Sequence, residues 1–133
     1  MFKNLNYLIF ATMLIACDSK SYEMPGNKMT SCDEYKRVAP NALYSAARAE
    51  ISAGLCKNRL EIGTSLEKKY FSEIDRRGNI VVLNCVCETS GCLIGLFSKP
   101  LSKDKNPETY DFQAFIDKDG KCAEYSVDTV IND

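Results

Sequence analysis

The chain has 133 residues, a formal net charge of −1 and 45% hydrophobic content, with seven cysteines but neither histidine nor tryptophan. That length supports one domain with a modest core, and the missing histidine excludes Ser-His-Asp and Cys-His nucleophile arrangements and every histidine-containing metal site. With 17 Lys and Arg against 18 Asp and Glu and no basic run, nucleic acid is not an expected partner.

At the N-terminus, Lys3 precedes an apolar stretch from Leu5 to Ala16. Its length falls well short of the ~20 residues needed to cross a bilayer, so it reads as a targeting segment and not as a spanning helix. The stretch closes on Leu14-Ile15-Ala16-Cys17, which resembles the lipobox of bacterial lipoproteins. The resemblance implies that residues 1–16 are a signal peptide, that Cys17 receives a thioether-linked diacylglycerol, and that palmitate or another acyl chain caps the new amino group. It also implies a place in the cell envelope on the periplasmic side of a membrane, held by the N-terminal lipid. Asp18 resembles the residue that retains such proteins in the inner membrane of enteric-type bacteria; the outer membrane is the other possible address. An ordinary secretory signal, using the small residues Ala11 and Ala16, is the alternative. Residues 17–31 contain Pro25, Gly26 and Asn27 and have turn-forming composition, which predicts a flexible tether ahead of a single domain at 32–133.

Ser31-Cys32-Asp33-Glu34 has capping-box spacing. Pro40 disfavours helix at Ala39 but suits a first helical position, so a short turn, a break and a main helix ending near Gly54 are expected. Leu43, Ala47, Ile51 and Leu55 recur along one face of that helix. Thr64-Ser-Leu-Glu67 repeats the capping spacing and predicts a short helix over Ser65–Ser72, followed by a turn at Arg76-Arg77-Gly78-Asn79. From Ile80 the period changes to two, with Val81, Leu83, Cys85 and Cys87 sharing one face. A turn at Glu88–Gly91 leads into a partner strand, Cys92–Phe97. After the polar loop Lys99–Pro107, Tyr110, Phe112, Ala114 and Ile116 form the inner row of a third strand. Lys118-Asp119-Gly120 is a hairpin turn, and Ala123, Tyr125 and Val127 share one side of a fourth strand. The expected fold class is α+β, with the N-terminal helix packed on a four-stranded antiparallel meander.

With Cys17 assigned to lipid, Cys32, Cys56, Cys85, Cys87, Cys92 and Cys122 remain, an even set that reads as three disulfides in an oxidising compartment. Six cysteines allow fifteen connectivities. Cys87 and Cys92 flank a four-residue turn and are expected to face each other; Cys85, on the same face as Cys87, is expected to reach Cys56 or Cys122. One unbroken helix would hold Cys32 and Cys56 roughly 36 Å apart, so unless Pro40 folds the segment back, each staples one end of it to the sheet. A four-thiolate metal site is disfavoured by oxidation, and a Cys-x-Cys on a strand is not the usual redox motif. No metal or cofactor is therefore expected. Asp117-Lys-Asp119-Gly120 lacks the further ligands of a calcium loop, and the carboxylates of Asp33, Glu34, Glu73, Asp75 and Glu124 have no spacing that marks an acid–base pair.

Tyr44-Ser-Ala-Ala-Arg-Ala-Glu-Ile-Ser-Ala-Gly54 followed by a disulfide-bearing sheet is similar to the helix-on-sheet layout of type IV pilins. The pilin processing site is absent and a lipobox stands in its place, so the resemblance concerns layout and not role. A small, stapled, nearly neutral domain with no recognisable catalytic constellation is expected to be a non-enzymatic binding module with a protein partner. The expected role is an inhibitor or immunity protein against a toxin or lysozyme-type hydrolase, using an acidic loop at Asp104–Asp111 or the turn Asp117–Gly120. An accessory lipoprotein of a secretion, conjugation or pilus assembly machine is the alternative.

Overall fold

The computed structural model describes residues 30–130. The expected signal peptide at 1–16, Cys17, Asp18 and the expected tether as far as residue 29 lie outside the described residues, as do residues 131–133.

The chain enters through a five-residue helix, α1 (Cys32–Lys36). Ser31 caps it by accepting from the Glu34 amide, and Glu34 reaches back to Ser31 Oγ and the Thr30 amide, which is the reciprocal arrangement expected from the spacing. The break before Pro40 is present: Ala39 is extended with ψ 133°, and Pro40 opens α2 (Pro40–Ser52), where its missing N–H costs no helical bond. Past the end of α2, Gly54 takes φ +77°. Leu43 and Ala47 are fully buried, but Leu55, expected on the same stripe, is 65% exposed because the helix has already ended.

The second long helix, α3 (Thr64–Arg77), runs past the expected Ser72. Arg76 and Arg77, expected in a turn, form its last turn, and the stop is Gly78 at φ +63°. Gly63 and not Thr64 occupies the N-cap, with no side-chain cap bond. Glu67 is drawn away from the helix end: its carboxylate accepts from Tyr125 Oη and, at 3.3 Å, from Asn58 Nδ2. Burial and then this carboxylate push the Tyr125 hydroxyl up to about 12.

The sheet has five strands and is mixed, which corrects the expected four-stranded antiparallel one. Strands β2 (Ile80–Glu88), β3 (Gly91–Ser98), β4 (Thr109–Asp117) and β5 (Cys122–Val130) form the antiparallel meander. The additional strand β1 (Lys57–Asn58) pairs with β5 in parallel, opposite Glu124 and Tyr125, giving the order β1-β5-β4-β3-β2. Two residues carry no readable period. They are aligned by the adjacent Cys56–Cys122 disulfide and by the bond from the Arg59 amide to the Tyr125 carbonyl at 2.7 Å.

Two bulges shift the expected strand faces. In β2 the register slips between Val82 and Asn84, so Leu83 is the extra residue and Cys85 and Cys87 share the inner face with Ile80 and Val82. In β5, Phe115 pairs with Glu124 and Ile116 with Cys122. Ala123 is thus unpaired and exposed, and Cys122, Tyr125 and Val127 form the inner row. The inner row of β4 is as expected: Tyr110, Phe112, Ala114 and Ile116 are each at most 3% exposed.

All three helices pack on this inner face, around an aromatic cluster in which Phe112 meets Tyr44 edge-on at 5.4 Å, Phe71 at 5.9 Å and Tyr125 at 6.4 Å. Truncating Phe112 to Ala would cost about 3–5 kcal/mol. The disulfides pair Cys32 with Cys85, Cys56 with Cys122 and Cys87 with Cys92. The hairpin pair and the stapling of both ends of the helical segment follow the sequence expectation. Cys85 does not reach Cys56 or Cys122; it bonds Cys32, because the order of strands sets β2 at the edge against α1, away from β5.

Candidate interaction surface on the open sheet face

With every helix on one side, the other side of the sheet has no protein layer over it among the described residues. Strand β3 is apolar on both faces: Cys92, Ile94 and Leu96 point into the core, while Leu93 and Phe97 point away from it. Strand register places these outward residues in rows. One row runs Val86, Leu93, Phe115 and then Glu124 across β2 to β5; another runs Val81, Phe97, Asp111 and Asp128. The middle row is Asn84, Gly95, Gln113 and Ser126, with the bulged Leu83 standing close to Gly95. The face is therefore apolar on the β2–β3 side and acidic on the β4–β5 side.

Val86 is 58% and Leu83 52% exposed, and none of Val81, Leu83, Val86, Leu93, Phe97 or Phe115 joins the core. Val86, Leu93 and Phe115 floor a shallow depression of about 320 Å³ bounded by Arg59, Glu88 and Glu124. An apolar floor with a polar rim matches the make-up of many protein-binding surfaces.

The acidic side is held against its own repulsion. Asp111 and Asp128 are directly opposed on β4 and β5, and among the described residues neither makes an ion pair. Asp128 accepts from the Thr129 amide at 2.8 Å, whereas Asp111 Oδ1 is buried without a hydrogen-bond partner. Burial raises the Asp111 carboxyl above its ordinary value against an opposing hydrogen bond from Gln113, and the charge of Asp128 adds to the rise. Like charges directly opposed on a sheet destabilise it.

The acidic segments expected to enter a partner are tied up within the fold. Asp104 lies 2.9 Å from Arg76 and 3.0 Å from the fully covered Arg77. Partial burial opposes the ionised form, but the pairing with Arg76, together with Arg77 and the Leu101 amide, holds the Asp104 carboxyl below its ordinary value. Arg77 also donates to the carbonyls of Asn106 and Glu108 and stacks on Tyr110 at 4.8 Å, so the 99–108 loop is clamped to α3. Asp117 accepts from the amides of Asp119 and Lys121 at 2.9 and 3.0 Å, shaping the hairpin turn. Among the other carboxylates, Glu34 caps α1, Glu73 pairs with Arg76 and Arg77, and Asp75 binds Tyr44 Oη at 2.7 Å and Arg48 at 3.3 Å. Asp33 is exposed in the first turn of α1, whereas Glu124, and Asp111 at the end of the segment Asp104–Asp111, lie on the open face. The sequence signal for this surface is the unbroken apolar run Cys92–Phe97, which has more apolar residues than a one-faced strand requires.

No helix among the described residues is long and apolar enough to cross a membrane. Comparison with protein-family models, with curated proteins and with solved structures returns no match.

Proposed function

We propose that the protein is a lipid-anchored binding module of the bacterial envelope, attached through Cys17 and facing the periplasm, that neutralises a basic soluble protein such as a lysozyme-type hydrolase or a periplasm-acting toxin. The observation that carries this reading is the sheet face left uncovered among the described residues, on which the apolar row Val86–Leu93–Phe115 runs on into Glu124 and the row Val81–Phe97 runs on into Asp111 and Asp128, acids without an ion pair. Apolar area supplies affinity once water leaves it. Unpaired carboxylates beside it steer a cationic partner and exclude an acidic one. The disulfides keep the sheet pre-organised, which lowers the ordering cost of association.

Residues 18–133, exported in oxidised soluble form, are titrated against a panel of peptidoglycan hydrolases and envelope-acting toxins. The expected result is stoichiometric inhibition of one basic enzyme, weakened by salt. Val86→Lys and Glu124→Lys, both on exposed positions, should abolish that inhibition without changing the melting temperature. If no member of the panel is inhibited, the reading fails. Recovery of the full-length protein in a stable assembly of integral membrane proteins would favour the accessory role in a secretion, conjugation or pilus machine. Mass spectrometry of the envelope-extracted protein, alongside Cys17→Ser, tests the anchor: a diacylglyceryl adduct at Cys17 is expected, and an unmodified Cys17 would contradict it.

A further inference from the structure

Three of the six domain cysteines meet at one end of the molecule. Sγ of Cys32, Cys85 and Cys87 all lie within 4.8 Å of one another, and Cys32 Sγ is 3.5 Å from Cys87 Sγ although each is bonded to a different partner. Cys85 and Cys87, two positions apart on β2, share a face by strand alternation; the bulge at Leu83 turns that face inward, where α1 delivers Cys32 beside them. Two staples that only needed strength would gain nothing from contact. The cluster is also reachable, since Cys87 lines a surface depression of about 510 Å³ with Thr30, Glu88, Thr89, Gly91 and Lys118. Its bonded partner Cys92 is 1% exposed. The third disulfide is removed from the cluster: Cys122 is separated from Cys92 by Ile116 on β4, two strand spacings or roughly 10 Å.

We propose that Cys32–Cys85 and Cys87–Cys92 form one thiol-exchange site that accepts two electrons from a dithiol, entering at Cys87. A thiolate of the dithiol attacks Cys87 Sγ; the Cys87–Cys92 bond breaks, and Cys92 leaves as a thiolate and takes a proton. The second sulfur of the dithiol then attacks the first, closing its own disulfide and releasing the Cys87 thiolate. The dithiol is oxidised by two electrons, and Cys87 and Cys92 are reduced by the same two. Cys87 is now a thiolate in contact with the Cys32–Cys85 bond. Its attack on Cys32 Sγ forms Cys32–Cys87 and expels Cys85, with no net change in oxidation state. The free thiols end on Cys85 and Cys92, while α1 stays linked to the sheet throughout. Exchange between groups already in contact has a large effective concentration over any external thiol. This site is independent of the open-face binding role.

The test is the Cys92→Ser variant of residues 18–133, exported oxidised, held folded at mildly alkaline pH, alkylated with N-ethylmaleimide and peptide-mapped. The expected result is a free thiol divided between Cys87 and Cys85, with a Cys32–Cys87 linked peptide. Labelling of Cys85 should rise at least about tenfold over its background in the oxidised parent. A thiol confined to Cys87 overturns the proposal. Should the variant fail to fold, the parent treated with one equivalent of dithiothreitol and quenched at intervals serves instead. Labels on Cys85 and Cys92 with Cys32–Cys87 linked are then expected, and labels only on originally bonded pairs overturn it. Participation of Cys56 or Cys122 in the same folded sample would also overturn it, by showing general scrambling.

Discussion

Asp111 illustrates how a single side chain is set against the fold that carries it. Its carboxyl is raised by burial and by the opposed Asp128, so the folded chain holds this proton more tightly than the unfolded one. The contribution of Asp111 is therefore favourable below its unfolded value and is lost as pH rises through the folded one. Asp111→Asn should raise stability at pH 7 by about 0.2–1 kcal/mol and give no gain below about pH 3, where Asp is itself protonated. Melting curves of the two proteins at both pH values decide the matter. Glu50, only 3% exposed, serves the backbone: its Oε1 accepts from the Cys122 amide at 3.0 Å beside the β5 bulge, while its Oε2 is buried without a hydrogen-bond partner. Glu50→Ala leaves that buried donor unpaired and should cost about 1–3 kcal/mol in denaturant unfolding. Glu50→Gln keeps an acceptor and should cost clearly less. Glu50 does not stand out in the sequence, and Asp111 does so only as the end of the acidic segment Asp104–Asp111, because nothing local marks which helical or strand position will be buried.

At the scale of elements, the connection between β3 and β4 depends on α3. Arg77 sits in the last helical turn and binds Asp104 and the carbonyls of Asn106 and Glu108, so a polar segment with no regular structure is held by one guanidinium. Arg77→Met keeps the packing stem but removes these bonds. It should lower stability by about 2–4 kcal/mol and speed amide exchange mainly within residues 99–108. Asp104 adds an acid limit to the clamp. Its carboxyl is held below the ordinary value, so its contribution is present above the unfolded value and disappears as pH falls through the folded one. The same loop should therefore loosen first in an acid titration followed by exchange. The starts of α1, α2 and β2 follow from the Ser31 cap, Pro40 and the change of period at Ile80. The end of α3 does not, since Arg-Arg-Gly-Asn is compatible with either a turn or a last helical turn until Arg77 finds a buried site.

For the whole molecule, cross-linking does what a core of this size cannot do alone. Cys56 and Cys122 are 66 positions apart and join the end of the helical segment to β5. Replacing both by Ser should cost about 2–5 kcal/mol and release β1 from the sheet. Loss of amide protection at Arg59 would report that release, since this amide is bonded to the Tyr125 carbonyl. The open face sets the other global property. Among the described residues no second layer lies over Val86, Leu93 and Phe115, which leaves that side of the sheet open.

The α+β composition, the α1 cap, the break at Pro40, the hairpin across Cys87–Cys92 and the inner row of β4 all follow from residues near one another in the chain, whose periodicity and backbone limits act locally. The resemblance of Leu14-Ile15-Ala16-Cys17 to a lipobox, too, rests on neighbouring residues alone. The fifth strand, the two bulges, the Cys32–Cys85 pairing and the acidic apolar face were decided only in three dimensions. A bulge reverses which side of a strand faces the core, and a two-residue strand exists only beside its neighbour. Which side of a doubly apolar strand stays uncovered depends on where the helices land.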